Sequence, residues 1–203
     1  VPELNMYRTV LNTRPLLFEE TRIVAQEMLA EKTKEETLEE IIDENLFQQR
    51  SEKRIISFYH EIWKRLENAD AYYLTTIANG DRNQAKIVLF ILILKQDRLF
   101  FEFMNEVWLD KFQRGDFQLT AFDIRSFFAQ KTEQSEQVAR WTEPTLKRLQ
   151  TAYTSILYQV GFTIKKGLPT ELVAPLLTPQ LDEFVKMHEN NHIATIVRGG
   201  IAP

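Results

Sequence analysis

Residues 87–94 read Ile-Val-Leu-Phe-Ile-Leu-Ile-Leu without a break and are closed off by Lys86 and Lys95. As a helix, this run has no polar face. A helix that is apolar all round is stable in water only when other elements cover every side of it, so the run predicts a central place in a multi-helix assembly. It falls well short of the roughly 20 apolar residues that cross a bilayer, so no membrane span is expected. Asp81 with Gln84, just upstream, has the spacing of a capping box and marks where this helix begins.

The cover is legible at helical spacing. Leu17, Thr21, Val24, Ala25, Met28 and Leu29 share one face. Thr33 with Glu36 is a second capping box, opening a helix to about Asn45. Ser51 begins another, striped by Ile55, Tyr59, Ile62 and Leu66. Asp70 caps a short helix that ends near Gly80. Asp97 opens a segment in which Phe100, Phe103, Met104, Val107 and Trp108 recur at three and four, and Gly115 ends it. With only 6 Gly and 7 Pro in 203 residues, an all-β fold is disfavoured, and 44% hydrophobic residues suffice for a packed core. The expectation is a mainly α protein. A helical bundle spans residues 1–116, and a smaller unit spans 117–203, the two packed as one compact body.

Residues 120–175 define that smaller unit. Thr120 with Asp123 starts a helix, and a second short one follows Ser135. Thr142, Glu143 and Pro144 then open a long helix that Gly161 closes. In it Leu146, Leu149, Tyr153, Ile156, Leu157 and Val160 face inward, and Glu143, Lys147, Gln150, Thr151 and Thr154 face out. Residues 162–166 and 171–173 read as a small β-hairpin around Gly167. Helix, short helix, long helix and hairpin is the order of a winged helix-turn-helix. Thr178 and Pro179 start a C-terminal helix by a cap and a first-turn proline, and residues 198–203 are expected to fray.

The net charge of −4 excludes a whole-molecule basic field, so any nucleic-acid contact must come from local patches. Lys147 and Arg148 lie early in the long helix, Thr142 and Thr145 sit at its start, and Lys165 and Lys166 lie on the wing. These are the candidate contacts to phosphate or base edges. Glu143 at the same tip opposes phosphate. Arg50, Lys53 and Arg54 form a second basic cluster that either extends the footprint or pairs with the acidic residues 35–44. That acidic run is either a solvated face or a surface for a partner protein.

Catalytic chemistry finds little support. His188-Glu189-Asn190-Asn191-His192 matches the zinc-hydrolase pattern H-E-x-x-H, in which two histidines one helical turn apart bind the metal. No His, Asp or Glu follows His192 to act as third ligand, and Asn190 and Asn191 suggest a helix that is ending. No glycine-rich phosphate loop and no nucleophile elbow occurs, and with no Cys there is neither disulfide nor thiolate. No cofactor or metal is expected. Residues 1–14 lack a secretory pattern, so a cytoplasmic protein is expected. The chain starts at Val1 rather than Met, which reads as a trimmed terminus.

Three segments together resemble the BrxA family of BREX bacteriophage-exclusion systems. They are Leu16-Leu17-Phe18-Glu19-Glu20-Thr21-Arg22, Glu44-Asn45-Leu46-Phe47-Gln48-Gln49-Arg50-Ser51, and Trp141-Thr142-Glu143-Pro144-Thr145-Leu146-Lys147-Arg148-Leu149. Their order and spacing fit from about Tyr7 to His192. Pro144 departs from the small polar residue expected at its position, which keeps the helix but removes a side-chain contact. The resemblance implies a NusB-like helical bundle and a non-catalytic accessory protein of phage resistance. It implies binding to DNA, with RNA as the other possibility, and contact with other BREX components. A protein–protein scaffold is the alternative role and a zinc hydrolase the remote one.

Overall fold

The computed structural model describes residues 6–202. The trimmed-terminus reading at Val1 and the last residue of the expected fray, Pro203, lie outside the described residues. A 3-10 turn, Val10–Asn12, precedes α1 (Phe18–Leu29), α2 (Lys34–Asp43), α3 (Glu52–Leu66), α4 (Ala71–Asn79), α5 (Arg82–Gln96) and α6 (Arg98–Phe103). A π-helical stretch, Met104–Leu109, runs into α7 (Asp110–Gln113). Then come β1 (Gln118–Leu119), α8 (Ala121–Gln134), α9 (Glu136–Ala139), α10 (Glu143–Val160), β2 (Thr170–Glu171), α11 (Pro179–His188) and α12 (Asn191–Val197). The protein is mainly helical, with one small antiparallel sheet.

Local chemistry explains the helix starts. Both halves of the capping box form at Thr33–Glu36 and at Thr120–Asp123. The carboxylate of Asp70 accepts from the Tyr72 N–H, that of Asp81 from Asn83 and Gln84, and that of Asp97 from Phe100. In α5, none of residues 87–94 is more than 5% exposed, as an all-apolar helix requires. Gly80 ends α4, as expected. Its backbone is extended rather than left-handed, and an added Cβ would stand 2.6 Å from the Thr76 carbonyl oxygen, so close approach is what demands glycine there.

The chain forms two compact units, residues 16–93 and residues 6–15 with 94–202. In the smaller, α1 packs on α3 and α4, and α2 on α3. Val24, Ala25, Ile41, Ile55, Tyr59, Ile62 and Ile77 fill its core. Arg65 is buried there, where it donates to the Leu16 carbonyl at 3.1 Å and lies 3.7 Å from the Glu61 carboxylate that balances its charge.

The larger unit has an aromatic core. Tyr153 of α10 sits with its ring centroid 4.7 Å from Phe100, 5.2 Å from Phe103 and 5.5 Å from Phe128. Trp108, in the π-helical stretch, stacks on Phe112 at 4.8 Å and meets the Phe162 ring edge-on at 4.8 Å. Its indole N–H donates to the Phe162 carbonyl. This anchors the chain leaving α10 to the segment before β1.

Three expectations need correction. The single C-terminal helix is two, broken at Glu189 and Asn190, where Asn190 caps α12 by accepting from Ile193. The tail is held rather than frayed through Ala202: the Arg198 guanidinium donates to Asp182 at 2.6 Å and to the carbonyls of Ile201 and Ala202. The hairpin is less regular than its sequence suggests. Its arms meet at one bridge, Thr163 to Leu172, and the strand proper, β2, pairs with β1, Gln118 against Glu171 and Leu119 against Thr170. The sequence reading did not assign β1. Two residues are too few for a period-two pattern to register.

Candidate nucleic-acid interface

The segment from β1 through β2 lies in the larger unit, and each of its joints is held by a named contact. Lys111 of α7, 8% exposed, bridges Asp116 at 2.5 Å and Asp123 at 3.2 Å, which ties the start of α8 to the helix before it. Ser135 caps α9 and Thr142 caps α10. Gly161, at φ 92, turns the chain out of α10 in the left-handed conformation that favours glycine. Ile164 donates to the Glu171 carbonyl and Val173 to that of Phe162, closing the loop over residues 164–171. Leu172 donates to Phe117 on the other side. The result is a helix, a short helix and a long helix, followed by the two-stranded sheet and the Thr163–Leu172 bridge, beyond which residues 164–169 form a mostly exposed loop.

A buried ionic network braces the inner side of α8. Lys131, 5% exposed in its side chain, lies 2.7 Å from both Glu102 and Glu106. Glu102 also accepts from Arg98 at 2.7 Å and from the Tyr7 hydroxyl at 2.9 Å. Burial opposes charge on Lys131, but its two carboxylate partners outweigh this and hold its pKa above the ordinary lysine value. Burial likewise opposes charge on Glu102, yet Lys131, Arg98 and Tyr7 keep it below the ordinary carboxylate value. The Tyr7 backbone exchanges two hydrogen bonds with the Gln137 side chain, at 3.0 and 2.7 Å, which binds the N-terminal segment to α9.

The outer side of α10 is different. Lys147 and Arg148 are exposed, as is Arg125 on α8, and none of the three has an ion-pair partner among the described residues. On one flank, Lys147, Arg148 and Thr151 join Asn12 and Pro15 around a groove of about 500 Å³. On the other, Lys147, Gln150 and Thr154 join Arg125 and Leu168 around a recess of about 180 Å³. Thr142 and Thr145 share a hydrogen bond of 3.0 Å, and the Thr142 oxygen accepts the Thr145 N–H. One hydroxyl proton is consumed between them, so the pair offers one donor to a ligand. Glu143 is exposed beside them.

Lys165 and Lys166 are exposed on the 164–169 loop, but Lys165 lines a separate groove of about 450 Å³ that also carries Asp116 and Glu171. Arg50, Lys53 and Arg54 belong to the smaller unit, exposed at the start of α3. The Arg54 guanidinium lies 5.0 Å from the Phe58 ring centroid, and among the described residues no ion pair joins this cluster to α2. Gln150 faces outward as its helical position predicts, but nothing local in the sequence marks Arg125 of α8 as its neighbour.

The zinc-hydrolase pattern does not survive. It needs both histidines on one continuous helix, and the break after His188 puts them on α11 and α12. His188 stacks on Phe184 at 4.0 Å, and the Glu189 carboxylate is spent on Lys95 at 3.1 Å. Among the described residues, no group of three or more His, Cys, Asp or Glu side chains is placed to hold a metal ion. Among them, too, no helix is long and apolar enough to cross a membrane.

Comparison with known proteins accords with this architecture. A crystal structure of an uncharacterized protein from Magnetospirillum magneticum superposes with a TM-score of 0.80, covering 95% of this chain and 98% of that one. At 19% identity this likeness speaks to the fold alone. The "BREX protein BrxA" of Bacillus cereus (strain H3081.97) is 37% identical over 182 residues, which are 89% of this chain and 90% of that protein. The BrxA family profile matches residues 5–189, and the chain therefore belongs to the BrxA family.

Proposed function

We propose that this protein is a non-catalytic accessory component of BREX phage defence that binds double-stranded DNA through α10 and the loop that follows the helix. The observation that carries the reading is the unpaired basic face of α10. In the same unit, Lys111, Lys131 and Arg198 are bound to carboxylates, whereas Arg125, Lys147 and Arg148 are exposed with no ion-pair partner among the described residues. An exposed helix start with free cations, next to a loop with two exposed lysines, suits a winged-helix unit with its long helix against a groove and its wing on phosphate. The larger fold reading is a NusB-like bundle, and RNA is the competing ligand. Arg50, Lys53 and Arg54 are a second phosphate contact in this proposal.

Gel-shift titration against duplex DNA, single strands and RNA at two salt concentrations tests it. Duplex is expected to be retained best, with an affinity that falls steeply with salt. Lys147→Glu combined with Arg148→Glu should weaken retention strongly while the fold survives. Equal retention by that variant would refute the assignment. The alternative is a scaffold for other defence proteins. What favours it is that Glu35, Glu39, Asp43 and Glu44 stay exposed, although Glu36 is used in the Thr33 cap and Glu40 in a pair with Lys32. A pull-down lost on reversing those four acids, with no duplex retention by the wild type, would select it.

A further inference from the structure

The recess between α8 and α10 offers more than charge. Arg125 and Lys147 line it together with Gln150, Thr151, Thr154 and Leu168. Both threonine hydroxyl protons are already used. Thr151 donates to the Lys147 carbonyl at 3.1 Å, and Thr154 donates to the carbonyls of Gln150 and Thr151 at 3.3 and 3.0 Å. What those oxygens still present is lone pairs, which repel phosphate oxygens and accept from amino hydrogens. The Gln150 side-chain amide has no partner among the described residues, so it brings both a donor and an acceptor. Leu168, from the 164–169 loop, adds an apolar contact.

We infer that this recess reads an A·T base pair in the major groove, with Gln150 as the specificity-determining residue. The inference rests on the duplex-binding reading above. A glutamine amide pairs with adenine in two bonds at once, its oxygen accepting from N6–H and its nitrogen donating to N7. The thymine of the same pair presents a C5 methyl, the group that Leu168 suits. Guanine presents two acceptors, N7 and O6, which call for an Arg or Lys donor and not for the donor–acceptor pair of the Gln150 amide, and cytosine offers no two-point match to an amide. Arg125 and Lys147 hold the flanking phosphates and set the register of the helix without reading sequence.

The test is selection of duplexes from a randomised pool by the full-length protein, followed by competition gel shifts with the selected sequence. An A·T pair should be enriched at one position, and mutating it should weaken binding about tenfold, as for a typical two-point base contact. Replacing that adenine by 7-deazaadenine, or its thymine by uracil, should each remove part of the preference. Gln150→Ala keeps a strong helix former in α10, so circular dichroism should be unchanged. That variant should lose the preference and keep its affinity for random duplex. A flat selection with duplex binding intact would overturn this inference alone, as would an A·T preference that Gln150→Ala leaves in place. A wild type that retains no duplex would overturn the binding reading together with it.

Discussion

Lys131 and Lys147 stand on neighbouring elements of one unit and carry the same charge into opposite circumstances. Lys131 is buried on α8, gripped by Glu102 and Glu106, and its charge is spent holding α8 to α6 and the π-helical stretch. Lys147 is exposed on α10 with no acid against it among the described residues. A buried charge must be matched within the protein or it is costly, while an exposed one stays available to a ligand. The difference separates the cations that build this protein from those that are free to act outside it. Lys147 and Arg125 line the recess on one flank of α10, and Lys147 and Arg148 the groove on the other.

That contrast can be broken from either side. The largest effect is expected on the outer face. Lys147→Glu with Arg148→Glu should weaken duplex binding by at least about 100-fold and lower the log–log salt slope by about 2, with the melting temperature nearly unchanged. The inner lysine should behave in reverse. Lys131→Ala takes one of three partners from Glu102, which keeps Arg98 and Tyr7, and the partner of the exposed Glu106, and should cost about 2 kcal/mol of stability in urea melts, with DNA affinity per folded molecule unchanged. A loss of DNA binding by a fully folded Lys131→Ala protein would erase the distinction.

Acid should reveal the same network more gradually. The Glu102 carboxyl is held below its ordinary value of 4.5, burial being outweighed by Lys131, Arg98 and Tyr7. Asp123 is held below 3.8, burial being outweighed by its cap bonds to Thr120 and by Lys111. In both, the unfolded chain binds protons more readily than the folded one. Their stabilisation is therefore complete above the ordinary values and disappears as pH falls through the lower folded ones. Urea melts between about pH 6 and about pH 3 should show this decline, and Lys131→Ala should flatten the part due to Glu102. The smallest effect concerns Tyr153, whose buried hydroxyl has no hydrogen-bond partner among the described residues. Tyr153→Phe should change stability by less than about 1 kcal/mol, neutral or favourable, because it removes an unsatisfied polar group and keeps the ring packing. A larger loss in a thermal melt would mean that the hydroxyl is engaged.

What could be read along the chain was whatever neighbours decide. Thr33 and Glu36, or Thr120 and Asp123, are three residues apart, so the cap bonds they form were visible as spacing. The central placement of residues 87–94 followed from their having no polar face. Lys147 and Arg148 could be placed near the start of α10 because Thr142 marks that start. The H-E-x-x-H pattern shows the limit of such reading. Its spacing was right, but Asn190 caps a new helix there instead of continuing the old one, and a match of letters cannot register that break.

The amino-acid order alone thus determined where helices begin, which faces turn inward, and that the protein is mainly α. These depend on contacts within about one or two turns, which the chain cannot avoid making. Only the folded protein decided that β2 pairs with Gln118 and Leu119, that Lys131 is consumed by Glu102 and Glu106, and that Arg125 and Gln150 share a recess. Each of those joins residues brought together by long-range packing, and whether a charge is spent or free depends on which distant side chain arrives beside it.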